Sequence, residues 1–474
     1  MSTAIHHLSA AELSAAYASG TLSPVEVTRA CLARMAAWEP RIHAMYLVHE
    51  EPALAAARAS EARWRAGKPL SPIDGVPITL KENLATRGDR SPVGTKANEA
   101  EPPKPEDSPP AARVRAAGCV LLGKTTMPDF GMLSSGLSSL HGITRNPWRL
   151  DRNTSGSSSG AAAAAVAGYA PLHLGTDIGG SVRLPATHCG LFALKPTQGR
   201  LPTYPPYLGR VTGPMARTVT DAALLLQVAA APDWRDFMSL PPERHDYAGA
   251  VAAAGSVTAQ PRAQGMKIGL LLDMGAGLAP DPQVRAATEA AARALAAAGA
   301  QVEPLRTFLT PEMLDGVIRF FEARSYHDYA ALPAERQRKI LPFIVEWCTY
   351  RAAQFSGRDV MAAYNQTVAM REAAVFACQP FDYVLSPTSP ILPYEAELPA
   401  PGNDPRNALP HIAFTVPYNM SEQPAASVPW TASSDGLPIG VQVIGRRFDD
   451  VGVLKLSRML ELLRPPLPPW PEPA

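Results

Sequence analysis

The chain has 474 residues, of which 46% are hydrophobic and 18% charged, and its formal net charge is +1. This composition supplies enough apolar material for a large core, and the neutral balance argues against a nucleic-acid partner or an acidic membrane surface. No apolar run reaches the roughly 20 residues of a membrane helix, and the first residues lack the basic-then-apolar pattern of a secretory signal, so we expect a cytoplasmic protein with no membrane partner.

The first part of the chain carries patterns typical of helices. Ser9 and Ser23 each stand three positions before a glutamate, which is the spacing of a capping box, and a proline follows Ser23 at the first helical position. An alanine-rich stretch over 51–65 indicates a further helix that ends near Gly67. We therefore predict a helical N-terminal region over residues 1–68.

Past this region, apolar runs of strand length alternate with helical patterns. Strands are predicted at 76–80, 119–122, 266–272, 302, 383–385 and 439–444. Helices are predicted at 109–118, 161–174 and 282–298. Because alternating strands and helices indicate an α/β fold, we predict one α/β/α domain over residues 1–474, with a large mixed central sheet between helices.

The segment 311–378 differs from the rest, because helical patterns follow one another there without a strand. Thr310 and Pro311 are residue types that favour an N-cap and a first helical position. We predict a helical cap subdomain over this segment. Its aromatic residues at helical spacing either form the subdomain's own core or line a substrate pocket; they are Phe320, Phe321, Tyr326, Tyr329, Phe343, Trp347, Tyr350 and Phe355.

The cysteines and histidines give no metal or disulfide pattern. There are five cysteines, an odd number, and none forms a CxxC pair: Cys31, Cys119, Cys189, Cys348 and Cys378. Buried, reduced thiols are the ordinary interpretation of such a set in a cytosolic protein. The ten histidines include no HExxH motif. We predict that the protein needs no metal and no cofactor.

Two glycine-rich segments, 155–160 and 175–183, each contain a serine, and these serines are Ser157 and Ser181. A serine hydroxyl is a weak nucleophile that needs a nearby base. Successive glycines allow backbone N–H groups to converge on one point, as an oxyanion hole requires. Taken separately, one segment could be a flexible linker and the other a simple glycine turn. The helical pattern that follows directly after residue 160 favours an ordered loop over a linker.

Lys81 offers a base that is not a histidine. It follows the apolar run 76–80, which makes its burial plausible. To accept a proton it must be neutral, so its pKa has to fall well below the reference value of about 10.4. A lysine at a strand end is otherwise most often a solvated surface charge. Together with Ser157 and Ser181, Lys81 predicts acyl transfer by a Ser-Ser-Lys set.

These residues resemble the amidase signature family. The resemblance rests on Lys81, on the two serine segments with Pro185 and Cys189 after them, and on further segments along nearly the whole chain, at 74–77, 144–148, 195–197 and 435–442. It implies a protein that hydrolyses or transfers acyl groups from amides, and in some members from esters or carbamates, with a Ser-cisSer-Lys triad.

The resemblance assigns a role to individual residues of this chain. Ser181 resembles the acyl-ester nucleophile, Ser157 the bridging serine held by a cis peptide bond, and Lys81 the base. The oxyanion loop is expected at Ile178, Gly179 and Gly180, and supporting polar residues at Ser158, Asp177 and Arg183. The acyl pocket is expected at Gly131, Met132, Leu133 and Ser134. The chain departs from the family pattern at Ser155, Ser159 and Ala161, which replace two glycines and a serine and affect the expected loop geometry.

The expected function is hydrolysis of a carboxylic amide through a Ser181 acyl-enzyme, on a small-molecule amide-type substrate, by a monomer or homodimer. Three alternatives stay open. The first is a carbamate or ester hydrolase with the same triad. The second is the glutamine-hydrolysing subunit of a tRNA-dependent amidotransferase, which would need partner subunits. The third is a catalytically inactive binding protein.

Overall fold

A computed structural model describes residues 4–243, 245–256 and 261–473, so predictions that extend to residues 1–3 or 474 lie partly outside the described residues. The strands are β1 (Met45–Val48), β2 (Pro77–Lys81), β3 (Val120–Thr125), β4 (Leu137–Ser138), β5 (Gly142–Ile143), β6 (Arg145–Asn146), β7 (Arg149–Asn153), β8 (Leu172–Asp177), β9 (Phe192–Lys195), β10 (Val211–Ala216), β11 (Lys267–Leu270), β12 (Gln301–Pro304), β13 (Tyr383–Pro387), β14 (Ala425–Ala432) and β15 (Pro438–Gly445). The α-helices are α1 (Ala10–Ser19), α2 (Pro24–Ile42), α3 (Glu50–Arg65), α4 (Pro109–Ala116), α5 (Ser159–Ala167), α6 (Arg183–Cys189), α7 (Val219–Ala229), α8 (Tyr247–Ala253), α9 (Pro282–Ala297), α10 (Pro311–Ala330), α11 (Ala334–Gln337), α12 (Pro342–Thr349), α13 (Gly357–Cys378), α14 (Val416–Met420) and α15 (Asp450–Leu463).

A mixed sheet of eleven strands runs through the protein in the order β1-β3-β2-β8-β10-β9-β14-β15-β13-β11-β12. Strand β2 is parallel to both β3 and β8, and β11 is parallel to both β12 and β13, whereas the other neighbours are antiparallel. Helices α5 and α6 pack together against central strands, and α7, α9 and α15 pack against the sheet as a second group. The predicted α/β fold, with a large mixed central sheet flanked by helices, is confirmed.

The N-terminal region is not purely helical, and the prediction for residues 1–68 is corrected here. Both capping boxes form, because Ser9 and Ser23 accept from the amides of Glu12 and Glu26. Between α2 and α3, however, β1 pairs antiparallel with β3 at the edge of the central sheet. A strand of four residues that is not fully buried gives too short a pattern to be recognised between two helices.

The helix predicted over 161–174 ends early. Helix α5 stops at Ala167, and Gly168 follows in the left-handed region with φ of +80°. The remainder of the segment begins β8, which lies between β2 and β10 in the sheet. Every residue of α5 and of β8 is buried, so an unbroken apolar run could not distinguish a buried helix from a buried strand. Strand β8 leads directly to the serine loop.

The segment 311–378 is helical throughout its regular elements, as predicted, with α10 and α13 packed side by side. Its core is shared with the body of the protein. One hydrophobic cluster contains Leu314, Trp347 and Met370 of this segment together with Leu184 and Phe414 from outside it. The cap is therefore held against the sheet by common apolar packing. Among the described residues, no helix is both long and apolar enough to cross a membrane.

Candidate active site

Lys81 is the last residue of β2, and its side chain is fully buried. Its Nζ donates to Ser157 Oγ at 2.7 Å, so the structure brings together two of the predicted residues, which lie far apart in the sequence. Burial, and after it the positive charge of Arg210, holds the pKa of Lys81 well below its usual value, although Asp177 and Glu82 act in the opposite direction. The prediction of a buried lysine is confirmed, and the surface-charge alternative is wrong.

Two polar residues near Lys81 were not predicted. Lys81 Nζ also lies 3.1 Å from Thr176 Oγ1 and 3.4 Å from the Thr176 carbonyl oxygen. The Asn83 amide donates to the same threonine hydroxyl at 3.0 Å. These contacts fix the direction of the ammonium or amine group. Thr176 stands inside the second glycine-rich segment and Asn83 two positions after Lys81, but only the pairing of β2 with β8 shows that they meet.

Ser157 lies in the loop between β7 and α5, and the Gly156–Ser157 peptide bond is cis. A Cβ at Gly156 would come within 2.6 Å of the Ser135 carbonyl oxygen and 2.8 Å of the Leu133 carbonyl oxygen, so the close approach of these two backbones requires glycine. Ser155 takes a left-handed conformation, with φ of +61°. The loop thus keeps a tight path although serine stands where the family has glycine.

Ser181 lies in the loop that connects β8 to α6 and is partly exposed. The Ser158 amide donates to the Ser181 carbonyl oxygen at 3.1 Å, and the Ser158 hydroxyl donates to the Thr176 carbonyl oxygen at 3.3 Å. Ser158 therefore ties the two serine loops together, in the supporting position that the sequence predicted.

Asp177 and Arg183 brace the Ser181 loop from below, and both are fully buried. The guanidinium donates to both carboxylate oxygens, at 3.0 and 3.1 Å, and reaches Asn419 and Gln442 with its other N–H groups. Burial alone would raise the pKa of Asp177, but Arg183 and the Asn419 amide hold that pKa far below its ordinary value. The charged pair is thus permanent at any working pH. Asn419 and Gln442 were not predicted.

The loop over 178–180 differs in one respect from the predicted oxyanion loop. The Gly180 amide donates to Asp177 Oδ1 at 2.8 Å, so this N–H group is already engaged in the turn. Gly180 has φ of +130°, and a Cβ there would lie 2.5 Å from Thr415 Oγ1. Within the described parts of the chain, the amides of Ile178 and Gly179 have no hydrogen-bond partner. Gly180 therefore shapes the loop, and Ile178 and Gly179 carry the open N–H groups.

Comparison with known proteins decides the family. The family model described as Amidase matches residues 26–454. The chain belongs to the amidase family. It is 35% identical to a glutamyl-tRNA(Gln) amidotransferase subunit of Chloroflexus aggregans, over 96% of each chain. Among solved structures, a bacterial aryl acylamidase of the amidase signature family matches with TM-score 0.88 and 28% identity over 97% of each chain. The 6-aminohexanoate cyclic dimer hydrolase matches with TM-score 0.85 and 29% identity over 99% of each chain. The chain is thus an amidohydrolase, as the resemblance implied.

A cavity of about 590 Å³, including space open to solvent, lies on one side of Ser181 in this amidase, and we call it the acyl pocket. The four residues predicted for the acyl pocket, Gly131, Met132, Leu133 and Ser134, line this cavity, and its role in holding an acyl group stays a prediction. Most of the remaining wall is apolar: Phe130, Ile178, Leu184, Phe321, Trp347, Leu409 and Ile412. Of the aromatic residues in the cap, Phe321 and Trp347 line this cavity in addition to packing in the shared hydrophobic cluster, whereas Tyr329 and Phe343 pack in the clusters and do not line it.

A second, larger cavity adjoins the first, and we call it the vestibule. It encloses about 1590 Å³, including space open to solvent, and shares Phe130, Gly131, Ile178, Ser181 and Arg324 with the acyl pocket. Its own lining includes the polar and charged residues Ser157, Thr176, Asn83, Lys104, Tyr207, Arg210 and Asp328. Ser181 thus lies where the two cavities join, and Ser157 lines the vestibule.

The cysteines of the amidase are free and buried. Burial raises the pKa of Cys189, and its thiol contacts the Thr154 carbonyl oxygen, so it resembles a packed thiol rather than a nucleophile.

Among the described residues, His6, His7 and Glu472 form the one group with metal-type ligands close together, outside both cavities. Arg34 already bonds to that carboxylate. The predicted absence of a metal requirement stays a prediction.

Proposed function

We propose that this amidase hydrolyses the C–N bond of small carboxylic amides with an apolar acyl group, through an ester on Ser181. The observation that carries the proposal is the buried Lys81, whose Nζ lies 2.7 Å from Ser157 Oγ at the junction where Ser181 also lies. A lysine whose pKa is lowered can be neutral at working pH and accept a proton.

In the proposed mechanism, Lys81 takes a proton from Ser157, which takes one from Ser181. The Ser181 oxygen attacks the carbonyl carbon, and the carbonyl oxygen becomes the oxyanion, which the free amides of Ile178 and Gly179 face. The proton then passes back through Ser157 to the leaving nitrogen, the C–N bond breaks, and the amine departs. Water attacks the Ser181 ester with its proton taken by the same relay, and the carboxylic acid is released.

The two cavities give each half of the substrate a place. Ser157, which returns the proton to the nitrogen, lines the vestibule and does not line the acyl pocket. The nitrogen and its substituent therefore lie in the vestibule, and the acyl chain lies in the pocket with Phe321, Trp347 and Ile412. An apolar chain gains free energy on leaving water for such a wall, in proportion to the area that it buries.

A panel of anilides with acetyl, butanoyl, hexanoyl and benzoyl groups tests this proposal, with glutamine as the polar comparison. We expect kcat/KM to rise with apolar acyl size until the pocket is filled, and Ser181→Ala to lower it by a factor of about 10³ or more. The exposed-turn variant Ser434→Ala is the matched control and should keep the wild-type rate. Equal rates for Ser181→Ala and the control would show that Ser181 is not the nucleophile.

A second candidate function is glutamine hydrolysis within a multi-subunit amidotransferase. The 35% identity to an amidotransferase subunit over 96% of each chain favours it. The wall of the acyl pocket is mostly apolar, with Arg324 and Ser325 among its polar residues, and it favours an apolar acyl group instead, since the acyl half of glutamine would bring its α-amino and α-carboxylate groups there. Glutaminase activity above the best anilide rate, together with co-purifying partner subunits from the native cell, would replace the main proposal with this one.

Carbamates and esters share the same acyl step, so the panel includes a butanoyl phenyl ester and a matched phenyl carbamate. An activated ester needs less proton transfer to its leaving group than an anilide does. We therefore expect ester hydrolysis to be less sensitive than amide hydrolysis to changes at Lys81.

A further inference from the structure

The vestibule carries an excess of positive charge for which the described protein supplies little compensation. Its charged lining residues are Lys104, Arg210, Arg324 and Asp328. Asp328 lies 3.9 Å from Arg324, at the outer limit of an ion pair, and its side chain is half-exposed. Three cations and one carboxylate thus face the compartment that the proposed function assigns to the leaving amine.

Arg210 gives the strongest evidence that the positive charge of the vestibule is not compensated. Its Nη1 donates to the Pro205 carbonyl oxygen at 3.3 Å, and no carboxylate in the described ranges forms an ion pair with it. Burial, and after it the charge of Arg324, lowers the pKa of Arg210 to about 10, so it stays charged at neutral pH. A partly desolvated guanidinium beside another guanidinium is costly until an anion joins them.

Tyr207 adds an independent observation. The Arg324 guanidinium stacks over its ring at 4.2 Å from the ring centre, which holds the guanidinium at the wall of the vestibule. The Tyr207 hydroxyl is buried and has no hydrogen-bond partner in the part of the chain that the structure describes. Tyr207 lines the same cavity, so its ring fixes Arg324 at the wall that Arg210 also lines.

We propose that this group, Tyr207, Arg210 and Arg324, is a binding subsite for a carboxylate on the leaving amine, so that the preferred substrates are N-acyl derivatives of amino acids or aminobenzoates. The planar guanidinium groups match the acceptor geometry of a carboxylate, and the Tyr207 ring positions one of them. The inference rests on the proposed function, since it assumes that the amine half lies in the vestibule. It assigns that half an anionic group and the acyl half an apolar chain.

Three anilides with one butanoyl group test the subsite, because their amines differ in charge: para-aminobenzoate is anionic, para-aminobenzamide neutral and para-aminobenzylamine cationic. We expect the wild-type kcat/KM of the anionic substrate to exceed that of the neutral one by about tenfold, as for a charge-assisted hydrogen bond, and the cationic one to be slowest. The carboxamide withdraws electrons more strongly, so leaving-group chemistry alone would favour the neutral substrate.

Variants then connect the preference to the residues. Arg210→Gln and Arg324→Gln should each reduce the anionic-to-neutral ratio toward one, and Arg324→Glu should favour the cationic substrate. The matched control is Arg285→Gln, at an exposed position of α9, which should keep both rates and their ratio.

The outcomes separate the two proposals. Turnover of the neutral anilide by the wild type with no preference for the carboxylate, or a preference that survives both glutamine variants, would overturn the subsite and leave the proposed function standing. Failure of the wild type to hydrolyse any of the three would overturn the proposed function and the subsite with it. Using the ratio corrects for a variant that changes Lys81 through the charge of Arg210, because both substrates share that base.

Discussion

At the scale of single residues, the environment of Lys81 decides whether this chain can do acyl chemistry. The chain places the side chain in a fully buried position, with a serine hydroxyl, a threonine hydroxyl and a carbonyl oxygen within 3.4 Å of its Nζ. All three can accept from an amine, and none carries a charge that would hold the proton on the nitrogen. Burial is thus the cause of the lowered pKa and the source of the basicity that the reaction needs.

This arrangement predicts the pH dependence of the rate. Protonation of Lys81 removes the base, so kcat/KM should fall as the pH falls through the lowered pKa and reach a plateau above it, well below the usual lysine range. Lys81→Arg and Lys81→Ala should both lower the rate on an anilide by at least about 10³, because neither can accept the proton. The check is a pH profile of kcat/KM for the wild type and single-pH rates for the variants.

Lys124 provides the matched control, since it is buried on the adjacent strand β3 but lies outside both cavities. Its Nζ donates to Thr86 at 3.0 Å and to the Leu84 carbonyl oxygen. Lys124→Met should alter stability and leave kcat/KM per folded molecule close to wild type. An arginine variant at Lys81 with near-normal anilide turnover would exclude this residue as the base.

The same lowered pKa has a consequence for stability, with a definite sign. In the unfolded chain Lys81 has its ordinary pKa of about 10.4, so between the two values the unfolded state holds a proton that the native state lacks. The contribution of Lys81 to the free energy of unfolding therefore rises with pH across that window and is least favourable below the native pKa. At neutral pH the burial of Lys81 therefore lowers the free energy of unfolding.

Residue types and spacing were enough to find Lys81, Ser157 and Ser181, because each stands in a distinctive local segment. The partners that complete the site were not found, since Thr176, Asn419 and Gln442 become neighbours only through strand pairing and helix packing. Gly180 is the opposite case, a residue inside a recognised segment whose backbone N–H group differs from the prediction. Its sequence position predicted an oxyanion donor, but its N–H is bonded to Asp177.

At the scale of elements, the loop between β8 and α6 shows why two adjacent glycines are not equivalent. A Cβ at Gly180 would meet Thr415 Oγ1 at 2.5 Å and Leu184 at 2.8 Å, and φ there is +130°. A Cβ at Gly179 would meet Ile412 at 3.4 Å, which is ordinary contact. Gly180 is therefore required by backbone geometry, whereas a methyl group at position 179 would fit the backbone and take up space in the cavity that Gly179 lines.

The pair Gly180→Ala and Gly179→Ala tests this difference. We expect Gly180→Ala to lower the free energy of unfolding by about 2 kcal/mol or more and to reduce kcat severely, because both the strain and the clash disturb the Ser181 loop. Gly179→Ala should unfold close to the wild-type urea midpoint and instead disfavour the largest acyl groups. Urea unfolding and the acyl panel supply the two measurements. Equal midpoints for the two variants would contradict the assignment.

Identifiable physical reasons explain why the sequence did not predict some of the strands. Strand β10 contains Gly213 and Pro214, residue types that argue against a central strand, yet it pairs with both β8 and β9. Strand β14 contains Pro429, where the register with β15 shifts. In both strands, tertiary pairing outweighs local preference. The strands that were predicted correctly, such as β2 and β15, have apolar runs after a turn signal and no proline in their interior.

At the scale of the whole molecule, the site depends on elements from distant parts of the chain. The body of the protein supplies Lys81 and the two serine loops, and the cap supplies Phe321, Arg324 and Trp347. One hydrophobic cluster joins the cap to the body. We therefore expect substrate selection to depend on both cap and body, whereas the proposed catalytic residues all belong to the body.

The placement of Ser181 between two compartments also bears on what this enzyme could make as well as cleave. In the proposed mechanism the amine leaves through the vestibule while the acyl chain stays in its own pocket, so the emptied vestibule is open to any nucleophile that fits. Water and an added amine then compete for one ester, so the products partition between free acid and a newly formed amide. Hydroxylamine should divert a butanoyl anilide to the hydroxamate in proportion to its concentration, and added para-aminobenzoate should compete better than para-aminobenzamide if the carboxylate subsite operates. Chromatography measures how the ester partitions between free acid and new amide. A large share of new amide would show that the enzyme catalyses amide synthesis, and the charged residues of the vestibule would determine which acyl acceptors it prefers.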